Sequence, residues 1–487
     1  MISAWAWMLL ILAAGLQCVI GSSSSEDVAV DEEKTSDTEP PPSWKPTDPL
    51  LLTPYINQCM YDDAKNLSKV QLFQLYQVTA YSGYITVNSI NKSHLFFLFV
   101  VAEGNKSDAP FLLWTQGGPG LSALFGQFLQ NGPVKFFLPM NLSMRENTLH
   151  KTMNLIYLDL PVGAGFSYTE TSGGYSKTLE DITMDVTEFL RQFFELFYEY
   201  KGRKFYFAGE SYGARYSVAI ADKLLKDKKD LPLELNGVIG GNGFLGPILE
   251  TAESSEFLYQ SSMLTLEGKM IFAQAFSNMT QLLPKNPGQT LPYLFSTIFA
   301  DITHTRRTLF QNLTLYNDHA SPLHTERPLL MLTCYGFLND TTMKLAFHAG
   351  KDNKFEYSNN ELHSNLAMDW LRDIRNLTEN VLNGTSVLFY TGQLDALFPS
   401  VNQRTYFAKL EWKYAKQYRD SKRCLWNLPS KYGSAGYLKH ANTFWEAVVL
   451  GMSHYGAVDK PDEAWYLTTQ FIQNNLSCPR STESTLE

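Results

Sequence analysis

Apolar positions along this chain recur at two spacings, and the two kinds of segment alternate. Short apolar runs read as strands. Tyr84–Val87 and Leu95–Val101 form an adjacent pair across a short polar turn, followed by Phe111–Trp114, Leu155–Leu158, Lys204–Ala208, Val238–Ile239, Val387–Tyr390 and Ala447–Leu450. Helical spacing appears at Ile182, Val186, Phe189, Leu190, Phe193 and Phe197, then at Tyr216, Ala219, Ile220 and Leu224, and in a closing helix over Asp462–Ile472. Strands alternating with helices predict a mostly parallel sheet covered on both faces, the α/β class. From about Gly246 to Asp340 the rhythm breaks into helical and loop-like pieces. A long interruption of a compact core tends to carry function, so this stretch reads as an inserted cap.

One junction in this pattern carries chemistry. Gly209-Glu210-Ser211-Tyr212-Gly213 fits the G-x-S-x-G elbow, with the predicted strand at Lys204–Ala208 before it and the helix containing Tyr216 after it. The elbow places a serine on a strained turn whose flanking glycines let backbone and helix approach closely. Attack by serine needs a base for the hydroxyl proton and a carboxylate to orient that base. In the α/β-hydrolase fold these follow in the order Ser, Asp, His, each on a loop after a strand. Asp395 follows the strand at Val387 and His454 the strand at Ala447, so Ser211, Asp395 and His454 are the expected triad. The backbone N–H groups of Gly118, in the loop Gly117-Gly118-Pro119-Gly120, and of Tyr212 are the expected oxyanion donors. His94, His150, His304, His319, His324, His348, His363 and His440 lack such a strand-end setting and read as structural or exposed.

Composition narrows the setting. The length of 487 residues, 44% hydrophobic and 14% aromatic content suit a large packed globule. A formal net charge of −9 offers no electrostatic reason to expect nucleic acid or an anionic membrane as partner. The apolar run Trp5–Ala14 is too short to span a bilayer and, with the small residues after it, reads as a signal peptide over 1–21. Residues 22–48, Ser-rich, acidic and then Pro-rich, read as a flexible leader. The core is then expected over 49–245 and 341–480, the cap over 246–340 and a tail over 481–487. No later segment is apolar enough for integral membrane association.

Ten glycosylation sequons, at Asn66, Asn91, Asn105, Asn141, Asn278, Asn312, Asn339, Asn376, Asn383 and Asn475, exceed the roughly two or three expected by chance. They point to the secretory route. Once Cys18 leaves with the signal, Cys59, Cys334, Cys424 and Cys478 form an even set, which predicts two disulfides with three pairings open. No His/Cys spacing proposes a metal, and the chemistry of a serine triad requires no cofactor.

With these pieces in place the chain resembles the serine carboxypeptidase family, in its vitellogenic carboxypeptidase-like branch, over roughly Asp48 to Ile472. The resemblance is carried by Leu51-Leu52-Thr53-Pro54-Tyr55, Tyr81-Ser82-Gly83-Tyr84, Trp114-Thr115-Gln116-Gly117-Gly118-Pro119-Gly120, Tyr157-Leu158-Asp159 with Pro161-Val162-Gly163, and Gly165-Phe166-Ser167-Tyr168. The elbow, Gly241-Asn242-Gly243, Gly392-Gln393-Leu394-Asp395, and His454 with Asp459 and Pro461 complete it. It implies removal of single residues from peptide C-termini in a secreted or lysosomal setting, with peptide or protein C-termini as substrate. It further implies that Gln116, Gly117, Gln130 and Glu210 hold the substrate carboxylate. Gln130 stands where the family usually has glutamate, Leu121 where many members have cysteine, Ala214 replaces a glycine, and Ser453 and Ala457 replace the glycine and proline flanking the histidine. An amide at position 130 donates its N–H at any pH, and Glu210 alone is expected to titrate nearer an ordinary carboxyl. Two other readings share these residues: an acyltransferase or esterase on the same triad, and a secreted binding protein that keeps the fold. A homodimer is compatible with either.

Overall fold

The computed structural model describes residues 42–105, 107–227, 231–299 and 306–478. The expected signal peptide (1–21), most of the leader (22–41), His304 and the tail (481–487) lie outside the described residues. The strands, in chain order, are β1 Ala80–Asn88, β2 Ser93–Val100, β3 Phe111–Thr115, β4 Val134–Phe137, β5 Asn141–Met144, β6 Asn154–Leu158, β7 Tyr168–Thr169, β8 Lys204–Glu210, β9 Glu234–Gly241, β10 Ser386–Gly392, β11 Cys424–Trp426, β12 Gly436–Ala441 and β13 Phe444–Val449. The main sheet runs β1-β2-β6-β3-β8-β9-β10-β13-β12-β11, with β7 beside β2. Its middle, from β6 through β13, pairs in parallel, while β1, β2 and β7 at one edge and β12 and β11 at the other pair antiparallel. This is the α/β-hydrolase fold: a mostly parallel sheet flanked by helices.

Strand periodicity divides the core into two layers. Phe111 and Leu113 of β3, with Phe205 and Phe207 of β8, pack with Ile182, Val186, Phe189 and Phe193 of the helix Leu179–Leu196. Their neighbours Leu112, Trp114, Tyr206 and Ala208 point the other way, toward Leu467 and Phe471 of the closing helix Pro461–Ile472. Successive strand residues face opposite sides, and both faces are covered, so the runs are apolar throughout. The helix Leu179–Leu196 starts at a capping box, in which Thr178 accepts from the Asp181 N–H while the Asp181 carboxylate accepts from the Thr178 N–H.

The antiparallel strands β11 and β12 and the separate hairpin β4–β5 are absent from the sequence reading. Their short runs interleave with polar and glycine residues, so neither spacing stands out. Between β9 and β10 the described residues form helices, among them Leu266–Leu282, Pro287–Thr297 and Leu329–Leu338, and helical segments continue past Asp340 to Gly384. The end of the stretch read as a leader packs on the core: the Trp44 ring meets His348 edge-on at 5.7 Å, and the Thr47 carbonyl accepts from the Lys351 N–H at 2.7 Å. Among the described residues no helix is long and apolar enough to cross a membrane.

The cysteine expectation needs correction. Cys424 and Cys478 form a disulfide that ties edge strand β11 to the chain after the closing helix. Cys59 is also disulfide-bonded, but not to Cys334, which is a free thiol on the helix Leu329–Leu338 and 1% exposed. Cys334 packs among apolar side chains that include Phe337 and Leu338, where a small hydrophobe is as much at home as a thiol.

Candidate active site

Ser211 follows β8 directly and precedes the helix Tyr212–Lys226, with φ 58° and ψ −121°. A non-glycine residue at such angles is strained, and the surrounding contacts hold it there. The Ser211 N–H donates to the Gly241 carbonyl at 2.9 Å, and its own carbonyl accepts from Phe244 at 3.0 Å. The glycines are required by close approach rather than by their own dihedrals. A Cβ on Gly209 would meet the Gly213 backbone at 2.4 Å, and one on Gly213 the Thr115 carbonyl oxygen at 2.5 Å. β3, β8 and the elbow helix are therefore locked together directly behind the serine.

The three residues expected to act together converge across the chain. His454 Nε2 accepts from Ser211 Oγ at 3.1 Å, and His454 Nδ1 donates to Asp395 Oδ2 at 2.9 Å. Asp395 is fully buried, and its other oxygen accepts from the N–H groups of Leu397 and Phe398 at 2.9 and 2.8 Å. Burial alone would lower the His454 pKa, but the Asp395 charge and hydrogen bond outweigh it, and the imidazole titrates above its ordinary value.

Asn242, quoted above only as part of a signature, bridges the two loops. Its Oδ1 accepts from Gly392 N–H at 2.7 Å, and its Nδ2 donates to the Ser453 carbonyl at 2.9 Å. It stands at φ 45°, a left-handed turn that asparagine tolerates better than most residues. Ser453 donates through its backbone and hydroxyl to Asp459 Oδ2, which fixes the histidine loop from the other side.

The glycine loop lies against Ser211: a Cβ on Gly117 would sit 2.7 Å from Ser211 Cβ, and Gly118 has φ 116°. Two residues outside the expected set brace this loop. His363 Nε2–H donates to the Pro119 carbonyl at 2.9 Å, and buried Asp159 accepts from Ser122 Oγ and the N–H groups of Ala123 and Phe166. His363 comes from a helical segment far along the chain, and its approach to Pro119 has no local signal in the sequence.

Glu210 is 2% exposed beside the serine. Its Oε2 accepts from Gln116 Nε2 at 3.0 Å and from Gln130 Nε2 at 2.5 Å, while Trp114 Nε1–H donates to Gln116 Oε1 at 3.1 Å. Burial pushes the Glu210 carboxyl up to about 7, against the lowering effect of Gln130, the His454 charge and Gln116. The expectation of an ordinary titration is thus overturned: two amide donors do not offset the loss of water. Gln130 ends a single π-helical turn, Gly126–Gln130.

These groups border a cavity of about 600 Å³. Gln116, Gly117, Gly118, Glu210, Ser211 and His454 line it, whereas Asp395 lies behind His454 and Gln130 behind Glu210. Tyr212 also stays off the cavity wall, its ring buried and its hydroxyl donating to Asp369 Oδ2 at 2.5 Å. The rest of the wall includes Phe295, Phe299, His319, Arg327, Tyr335 and Trp370. His319 and His363, read as structural or exposed, therefore stand in the cavity wall. Of the sequon asparagines, Asn66, Asn141, Asn278, Asn312, Asn339, Asn376, Asn383 and Asn475 are exposed. Asn91 is half-buried and accepts through Oδ1 from Thr171, and the Asn105 side chain is not described.

The family model described as serine carboxypeptidase matches residues 71–474. The chain is 31% identical to the probable serine carboxypeptidase CPVL of Homo sapiens over 89% of its length and 91% of that protein. It is 32% identical to the venom serine carboxypeptidase of Apis mellifera, covering 88% of this chain and 91% of that one, and 29% identical to the vitellogenic carboxypeptidase of Aedes aegypti, covering 88% and 90%. Among solved structures, the prohormone-processing carboxypeptidase Kex1(Δ)p of Saccharomyces cerevisiae shares the fold, with a TM-score of 0.69 at 19% identity over 84% of this chain and 96% of that one. The chain belongs to the serine carboxypeptidase family and is a serine-type peptide hydrolase.

Proposed function

We propose that the protein removes C-terminal residues from peptides through an acyl-enzyme, with Ser211 as nucleophile, His454 as base and then acid, and Asp395 holding the His454 tautomer. The observation that carries this reading is the unbroken hydrogen-bond chain from Ser211 Oγ through His454 to Asp395, opening on a cavity that ends in a buried carboxyl. Ser211 Oγ attacks the carbonyl carbon of the last peptide bond as its proton passes to His454 Nε2. The oxyanion is held by the N–H groups of Gly118 and Tyr212. The C–N bond then breaks as His454 returns the proton to the leaving amine, and water resolves the ester by the same route.

Exopeptidase selectivity follows from Gln116, Gly117 and Glu210 at one end of the cavity, with Gln130 acting from behind Glu210. A carboxyl that keeps its proton to about pH 7 can donate to the substrate carboxylate rather than repel it. The stretch 246–340 serves as the cap, contributing Phe295, Phe299, His319, Arg327 and Tyr335 to the cavity wall, and 49–245 and 341–480 form the core. The exposed sequons and the Cys424–Cys478 disulfide support a secreted or lysosomal glycoprotein.

The test is covalent labelling with a fluorophosphonate together with hydrolysis of blocked dipeptides. Labelling of wild type but not of Ser211→Ala, with release of the C-terminal amino acid, is expected. Persistent labelling in the variant removes the assignment of Ser211, and a labelled enzyme that cleaves esters but no peptide removes the substrate class.

A further inference from the structure

Among the described residues lining the cavity, Arg327 is the only lysine or arginine, and Glu210 the only aspartate or glutamate. No ion pair within 4.0 Å joins Arg327 to a carboxylate of the described residues. The groups that feel its charge are Asp318, His319, Tyr335 and Tyr455. The Asp318 carboxylate is not its partner. That carboxylate is buried, off the cavity wall, and accepts from Tyr455 Oη at 2.8 Å and the Ala320 N–H at 3.1 Å. Nearby Glu326 is likewise engaged, accepting from Asn317 Nδ2 at 2.7 Å.

The loop presenting Arg327 is pinned. Asn317 N–H donates to the Thr325 carbonyl at 2.7 Å, and Pro328 then begins the helix Leu329–Leu338. Arg327 is therefore held half-buried at the cavity wall, with no carboxylate of the described residues within ion-pair distance. Its surroundings also locate it along the substrate. Tyr335, which feels the Arg327 charge, meets the Phe125 ring at 6.4 Å, and Phe125 leads directly into the turn Gly126–Gln130 behind Glu210. This is the Glu210 end of the cavity, on the side of Ser211 where the departing residue lies in the reading above. Met331, Tyr335, Leu121 and Phe125 supply apolar wall for a side-chain stem.

We propose that Arg327 is a specificity-determining residue that pairs with an acidic side chain on the departing C-terminal residue, so that peptides ending in glutamate or aspartate are preferred. This rests on the carboxypeptidase reading. A planar guanidinium with several N–H donors recognises a carboxylate by paired, charge-assisted bonds that a neutral amide cannot match. Burial lowers the pKa of His319 to about 3, so that ring carries no charge in the wall, and burial lowers the pKa of His363 as well.

The test compares kcat/KM for blocked dipeptides ending in Glu, Gln and Leu at about pH 5.5, where the substrate side chain is ionised. Wild type should favour Glu over its isostere Gln by roughly tenfold, the scale of one charged hydrogen bond in a partly open site. Arg327→Met should bring that ratio to about one, Arg327→Lys should restore part of it, and Arg327→Glu should invert it in favour of Gln. Fluorophosphonate labelling of each variant confirms that Ser211 is still assembled. A wild-type ratio near one overturns the inference while leaving the carboxypeptidase reading intact. So does a KM rise in Arg327→Met that is equal for all three peptides, because the cation would then be holding the terminal carboxylate. If wild type releases no amino acid from any of the three, the carboxypeptidase reading fails and takes this inference with it.

Discussion

Gln130 donates through Nε2 to Glu210 Oε2 at 2.5 Å, while the other Glu210 oxygen, Oε1, is buried with no hydrogen-bond partner among the described residues. The proton that Glu210 retains up to about pH 7 belongs on that free oxygen, since Oε2 already accepts from two amides. Binding of peptide C-termini should therefore persist to near-neutral pH and weaken as Glu210 ionises. In Gln130→Glu two carboxyls share the site and cannot both stay neutral except in acid. KM for a blocked dipeptide, measured from about pH 4 to about pH 7.5, should climb earlier in Gln130→Glu than in wild type. Superimposable curves would show that position 130 does not govern the Glu210 proton.

The same group sets a term in stability. The folded pKa of Glu210 is raised above its unfolded value, so between about pH 4.5 and 7 the unfolded chain releases this proton first. Its contribution is fully present below the unfolded pKa and is lost as pH rises through the folded one. Relative to Glu210→Gln, wild type should lose on the order of 3 kcal/mol across that window and no more above it. Denaturant unfolding of both proteins at about pH 4.5 and pH 7.5 measures this difference directly. A constant offset at both pH values would mean that Glu210 titrates normally.

Gly456 has φ 54°, and a Cβ there would lie 1.6 Å from Glu210 Oε1. Gly456→Ala should push the carboxyl away from Gln116 and Gln130 and raise KM for peptides roughly tenfold or more, the worth of a lost charged hydrogen bond. Fluorophosphonate labelling of Ser211 should survive, because the triad is not touched. Unchanged KM would show that the carboxyl relocates without consequence.

Asn242 holds the loops of Asp395 and His454 to one another through Gly392 and Ser453. Asn242→Ala should lower kcat by roughly a hundredfold, the cost of an ångström-scale misplacement of a base, with a much smaller change in KM. A loss in KM alone would assign Asn242 to substrate binding.

Cys334 is buried, and burial raises its thiol pKa well above the ordinary value. A thiol reagent should find this cysteine unreactive in the native protein and reactive once the chain is unfolded, at every stage without reduction. Native reactivity, or none after unfolding, would place Cys334 on the surface or in a disulfide.

The order of strands and helices, the elbow at Ser211 and the chain order of Asp395 and His454 were legible from spacing and residue type alone. The reason is local: a strand of β-type apolar residues running into two glycines specifies a tight turn, and the glycines at 209 and 213 leave no room for side chains. The family resemblance rested on the same short blocks. Tertiary structure decided what depends on burial and on meetings between distant segments. Burial shifts the Glu210 proton, and no window of sequence reports how dry the site is. Position 130 reaches 210, 242 reaches 392 and 453, and 363 reaches 119, through contacts that no hydrophobic period encodes. The thiol of Cys334 was counted with its fellows by arithmetic, and packing on the apolar side of a helix left it single. Arg327 entered no motif at all; its place in the wall of the cavity follows from how the helices between β9 and β10 lie over the triad.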